Sequence, residues 1–109
     1  MDWIIIFFLV LILSVNKQKN NHKFTVSVVI PAFNEAETVG HVVKVVKSLD
    51  FITEVIVVDD GSEDETAQIA EEAGAIVLKH DLNKGKGSAL KTGFKYSTGD
   101  IVAFIDADL

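Results

Sequence analysis

Val55-Ile56-Val57-Val58-Asp59-Asp60-Gly61-Ser62 is the stretch whose reading decides the fold. Val55–Val58 is apolar without alternation, the pattern of a strand covered on both faces, and it runs straight into two acids and a glycine. Just downstream, Ser62 and Glu65 stand at capping-box spacing and open a helix through Ala67, Ala70 and Ala73, which Gly74 stops. Upstream, Asn34 and Glu37 have the same spacing. Val39, Val42, Val43, Val46 and Leu49 follow as one apolar helical stripe, its valines read as core. Before that helix, Thr25–Ile30 is a β-branched strand that Pro31, lacking an N–H, is expected to end. Farther on, Ala75–Leu78 reads as a third strand. A helix beginning near Gly87 carries Leu90 and Phe94 and stops at Gly99, and Ile101–Ile105 is a fourth buried strand leading into Asp106-Ala107-Asp108.

Strands alternating with helices at this spacing imply right-handed crossovers and a mostly parallel, Rossmann-like α/β sheet. Ligands of such sheets bind outside the carboxyl ends of the strands. That rule gathers four separate segments on one rim: Pro31–Glu35, Asp59–Ser62, Asn83–Ser88 and Asp106–Asp108.

Composition narrows what the rim can do. The chain has 109 residues, enough for one small domain, and its formal net charge of −6 argues against a nucleic-acid partner, which needs a basic stripe. With no cysteine there is no disulfide framework, thiolate metal site or thiol nucleophile. Pro31-Ala32-Phe33 stands where a dinucleotide fingerprint would place glycines, and Gly85-Lys86-Gly87-Ser88 lacks the earlier glycine of a P-loop. In Asp59–Glu65 the glycine comes third, not sixth as in an EF-hand. His22 and His80 have no partner at metal-ligand spacing and receive no role; His41 reads as structural or surface.

Residues 1–15 read as a hydrophobic membrane-anchor helix. Trp3–Val15 is apolar apart from Ser14, and its thirteen residues make a helix of ~20 Å against a hydrocarbon core of ~30 Å. Lys17, Lys19 and Lys23 follow the run and only Asp2 precedes it, so the positive flank places the remainder in the cytoplasm. Trp3 fits an interfacial anchor, and residues 16–24 form a polar linker.

The chemistry of the rim follows from its charge. Carboxylates alone would repel a phosphorylated ligand. Asp106 and Asp108, one residue apart after a buried strand, can instead hold a hard divalent cation that bridges a diphosphate and offsets charge on a leaving phosphate. Lys84 and Lys86 add positive charge, and the glycines beside them allow backbone N–H groups to approach. A carboxylate at the end of the second strand is placed to accept ribose or base hydrogen bonds.

Pro-Ala-Phe-Asn-Glu at 31–35, Val-Val-Asp-Asp-Gly-Ser at 57–62 with Asp64 and Thr66, Asn-Lys-Gly-Lys-Gly-Ser-Ala-Leu at 83–90 and Asp-Ala-Asp at 106–108 together resemble family 2 glycosyltransferases of the GT-A fold. Among these the polyprenyl-phosphate hexose synthases are most alike, and the likeness covers residues 25–109. It implies that Pro31, Phe33 and Glu35 line a nucleotide site, that Val58 and Asp60 contact base and ribose, and that Asp59 holds the loop. It further implies that Asp106 and Ala107 touch the ribose and diphosphate, that Asp106 and Asp108 serve Mg2+ or Mn2+, and that Lys84 to Gly87 border the pocket. The implied partners are a UDP- or GDP-hexose and a lipid-phosphate acceptor. By the same likeness a full domain continues past Asp108 with the acceptor site and catalytic base. Residues 25–109 are therefore expected to be the donor-binding half of a membrane-anchored hexosyltransferase, with no catalytic residue among them.

Two alternatives stand beside this expectation. Glucosyl-3-phosphoglycerate synthases resemble the chain around Gly85–Leu90 and Asp106–Leu109 and use a soluble acceptor. A non-catalytic, membrane-tethered interaction module is the alternative outside enzymes.

Overall fold

The computed structural model describes residues 12–13 and 24–107. In chain order the elements are β1 (Ile12–Leu13), β2 (Val26–Ala32), α1 (Val39–Lys47), β3 (Glu54–Asp59), α2 (Thr66–Glu72), β4 (Ile76–Lys79), α3 (Lys86–Tyr96) and β5 (Ile101–Phe104). They form one sheet of order β1-β5-β2-β3-β4. β2 pairs in parallel with both β3 and β5, and β3 with β4. The expected parallel α/β architecture is therefore present in four strands. At the edge, β1 pairs antiparallel with β5, Ile12 opposite Ala103. Extended backbone thus stands at Ile12–Leu13, where the sequence reading places helix; the rest of the expected anchor lies outside the described residues. No helix of the described residues is long and apolar enough to cross a membrane.

Successive residues of a strand point to opposite faces, and the core divides accordingly. Val28, Ile30, Val55 and Val57 pack with Val39, Val42, Val43 and Val46 of α1 and Ala70 of α2. Val29, Ile56 and Val58 face the other way, onto Ala89 of α3. The topology explains the division. The chain steps β2, β3, β4 in one direction and then returns across β2 to β5. Crossovers of constant right hand put the returning helix on the opposite face. The strand order therefore reverses between β2 and β5, and a crevice opens there at their carboxyl ends. Close contact of α3 with the sheet depends on Gly93, where an added Cβ would stand 2.3 Å from Val29 Cγ1.

Several element ends differ from the sequence reading. β2 continues through Pro31, opposite Val58. Odd-numbered residues of β2 aim their backbone polar groups at β5, and that side closes with the Ile105 N–H donating to the Val29 carbonyl. Pro31 comes next on this side, past the paired stretch, where a missing N–H costs nothing. Neither expected capping box forms. Asn34, in the left-handed region at φ 54°, receives Glu63 N–H on its Oδ1 at 2.9 Å and donates its own N–H to Ser62 Oγ at 2.8 Å. α1 starts only at Val39, after a turn closed by the Glu35 carbonyl. Asp64 Oδ1, in place of Ser62, accepts the Thr66 N–H at 2.9 Å at the start of α2. α3 ends at Tyr96, short of Gly99.

Candidate functional site

The loops after β2 and β3 are stitched together by the chain's own hydrogen bonds. Besides the Asn34–Ser62–Glu63 exchange, Glu35 N–H donates to Thr66 Oγ1 at 2.9 Å and Ala36 N–H to Asp64 Oδ2 at 3.3 Å. Thr38 Oγ1 donates to the Ala107 carbonyl at 2.6 Å, tying the segment after β5 to the same rim. Buried Asp59 accepts Ser62 N–H on Oδ1 at 3.0 Å, the loop-holding role expected of it. Gly61 lies at φ 83°, and a Cβ there would approach the Asn83 nitrogen to 2.6 Å. Glycine therefore lets the β3 loop lie directly on the segment that leads into α3.

Asp60 is the hub of this corner. It is 4% exposed and accepts three hydrogen bonds: from His80 Nδ1 at 2.7 Å and Lys84 N–H at 2.9 Å on Oδ1, and from Gly85 N–H at 2.8 Å on Oδ2. Burial alone would raise its carboxyl. The hydrogen bonds from His80, Lys84 and Gly85 outweigh burial and hold the group below the ordinary carboxylate range.

A cleft of about 270 Å³ opens between these loops, and Pro31, Phe33, Glu35, Asp60, Lys86 and Asp106 are among the residues that line it. It sits at the carboxyl ends of β2 and β5, where the strand order reverses. Phe33 remains 44% exposed, an apolar surface left to the cleft. Across the opening, Lys86 Nζ lies 2.8 Å from Asp106 Oδ1. One wall is thus acidic, and the other contributes an ammonium group on a glycine loop whose Lys84 and Gly85 amides are held by Asp60.

The cleft brings together Pro31, Phe33, Glu35, Asp60, Asp106 and Ala107 of the expected site residues. Two are placed differently. Val58 is fully buried among Val29, Ile56 and Ala89, so its side chain belongs to the core and not to a base-binding surface. Lys84 meets the site through its backbone N–H on Asp60, and Lys86 is the lysine that lines the cleft. Asp108, the expected second metal ligand, lies outside the described residues. His80 was not legible as a site residue, because its partners Asp60 and Thr92 stand 20 and 12 positions away along the chain.

A parallel α/β domain with a mixed-charge cleft at its strand-order reversal defines a class of ligand-binding folds, and comparison with known proteins fixes the family. Residues 27–109 match the family model described as "Glycosyl transferase family 2", and the chain belongs to that family. It is 47% identical over 94 residues to glucosyl-3-phosphoglycerate synthase of Mycolicibacterium smegmatis, a match covering 78% of this chain and 31% of that protein. It is 42% identical over 94 residues to undecaprenyl-phosphate 4-deoxy-4-formamido-L-arabinose transferase of Proteus mirabilis, covering 77% of this chain and 29% of the relative. Among solved structures, glucosyl-3-phosphoglycerate synthase of Mycobacterium tuberculosis in complex with Mn2+, UDP and glucosyl-3-phosphoglycerate superposes with a TM-score of 0.68 at 32% identity. That match covers 87% of this chain and 41% of the neighbour. The chain thus spans less than half the length of each of these relatives.

Proposed function

We propose that the cleft is the donor site of a hexosyltransferase, binding a nucleotide-sugar through its diphosphate with the help of Mg2+ or Mn2+. The observation that carries this reading is the Asp106 carboxylate at the end of β5, which already draws the Lys86 ammonium to 2.8 Å across the cleft. Mg2+ sites use one or two carboxylates, with water and the ligand's phosphates completing the coordination sphere. Asp106, with Asp108 as its partner, would hold the ion. A divalent cation so held neutralises charge developing on the departing diphosphate.

The chain's own groups supply the rest. Lys86 lies where it can release Asp106 and turn to a phosphate oxygen. Exposed Phe33 offers a face on which a nucleobase stacks, and Pro31 keeps the strand end beneath it rigid. The Glu35 and Asp106 carboxylates offer acceptors for ribose hydroxyls. The Mn2+ and UDP named in the solved M. tuberculosis complex support both the cation and a uridine donor.

For the acceptor, a polyprenyl phosphate is supported by the apolar run Trp3–Val15 and by the undecaprenyl-phosphate transferase among the relatives. In this reading the apolar residues ahead of β1 hold the chain at a membrane with the cleft on the cytoplasmic side, while Ile12–Leu13 stay paired with β5. A soluble phosphoglycerate acceptor is the second reading, favoured by the 47% identical synthase.

Calorimetric titration with UDP and GDP, with and without Mn2+, tests the donor site. The expected result is UDP binding at least ~10-fold tighter with Mn2+, an enhancement that Asp106→Asn removes. No binding of either nucleotide, or affinity indifferent to Mn2+, contradicts the proposal and leaves a non-catalytic module.

A further inference from the structure

His80 follows β4 directly, and its backbone N–H continues the ladder by donating to the Asp59 carbonyl at 2.9 Å. Its side chain is 8% exposed, and both ring nitrogens are engaged. Nδ1 lies 2.7 Å from Asp60 Oδ1, and Nε2 lies 2.8 Å from Thr92 Oγ1 on α3. An ionised Asp60 only accepts, so Nδ1 carries a proton. In the neutral ring the Thr92 hydroxyl then donates to Nε2; in the charged ring Nε2 donates to Thr92. The bridge between α3 and Asp60 therefore survives in either state, and what it supplies is geometry.

That geometry passes on to the cleft. Asp60 Oδ1 shares its lone pairs between His80 and the Lys84 amide, while Oδ2 holds the Gly85 amide. Gly85 lies at φ 99° and hands the chain directly to Lys86, the first residue of α3 and the one that reaches Asp106. A rotated Asp60 would release both amides and with them the cleft wall that carries Lys86.

We propose that His80 is a positioning residue of the cleft: through the hydrogen bond from Nδ1 it fixes the Asp60 carboxylate, so that this group holds the Lys84 and Gly85 amides and with them the cleft wall that carries Lys86. As far as the ligand is a nucleotide, this rests on the donor-site reading given above. His80 itself touches no ligand and acts through Asp60.

Amide hydrogen exchange of the 15N-labelled full chain and UDP titration in the presence of Mn2+ test the proposal on two variants. His80→Phe keeps a ring of similar bulk and loses both hydrogen bonds. His80→Asn is smaller but keeps a donor at the Nδ1 position. In His80→Phe, exchange at Lys84 and Gly85 should accelerate ~10-fold or more with the β3 amides unchanged, and UDP should bind ~10-fold more weakly. His80→Asn should restore both to within ~3-fold of the unsubstituted chain. A packing role predicts the reverse order, Phe tolerated and Asn not, and that order would overturn the proposal, as would native behaviour in both. If His80→Phe does not fold, His80→Asn decides: Lys84 and Gly85 protected supports the Nδ1 bond to Asp60 as the positioning contact, and both exposed overturns it. Absence of UDP binding by the unsubstituted chain would refute the donor reading instead, while exchange at the two amides still decides the role of His80.

Discussion

Asp60 shows how much one side chain organises here. Asparagine in its place is isosteric but presents an NH2 where a carboxylate oxygen now meets an N–H donor, so at least one of His80, Lys84 or Gly85 is left facing another donor. Asp60→Asn should therefore cost about 1–3 kcal/mol in urea unfolding, the range for an unsatisfied buried polar group. A pH dependence follows from the same contacts. Asp60 is held below its ordinary 3.8, and so is Asp64, through the Thr66 hydroxyl and amide. In Glu54, burial raises the carboxyl, but bonds from Ser27 Oγ and from the Thr98 amide and hydroxyl bring it below 4.5. Carboxyls lowered in the folded state bind fewer protons there than in the unfolded chain. Their stabilisation is complete above the ordinary values and lost as pH falls through the folded ones. Unfolding free energy should thus decline steadily below about pH 4.5, and Asp60→Asn should flatten that decline. An unaltered slope in the variant would mean that Asp60 is not held low by its neighbours.

At the scale of elements, the seat of α3 on the sheet rests on Gly93 against Val29. Gly93→Ala forces a methyl into Val29 and should cost about 1–3 kcal/mol, as overpacking does. Val29→Ala opens the space that methyl needs, so the double variant should be less destabilised than the sum of the singles in the same unfolding assay. Simple additivity would show that α3 can shift to accommodate the methyl. The sequence made the strands plain because unbroken apolar runs such as Val55–Val58 have few other uses, and the valine stripe of α1 is core throughout. Helix starts were less legible. Asn34 and Ser62 have the residue types and spacing of caps, yet their side chains join two loops 28 residues apart, and a tertiary hydrogen bond of that kind leaves no local trace. Pro31 misled for a related reason. Whether a strand survives proline depends on which neighbour its missing N–H would have faced, and that is a property of the assembled sheet.

For the whole molecule, the reversal of strand order between β2 and β5 locates the cleft, and four motifs far apart in the chain converge there because each follows or precedes a rim element. The gathering of the motifs on one rim, though not the order of the strands, could be read from the alternation of strands and helices. The division of labour within the cleft could not. Lys86 and not Lys84 faces Asp106, Val58 is core, and His80 serves the site from behind Asp60. The proposed donor site depends on the acidic end of β5 holding a divalent cation against a diphosphate. Anomalous diffraction at the manganese edge, from crystals of the chain grown with Mn2+ and UDP, tests it most directly. A manganese peak within coordination distance of the Asp106 carboxylate and the UDP diphosphate, with Lys86 drawn off Asp106, is the predicted result. UDP in the cleft with no manganese beside Asp106, or manganese bound away from the diphosphate, would contradict it.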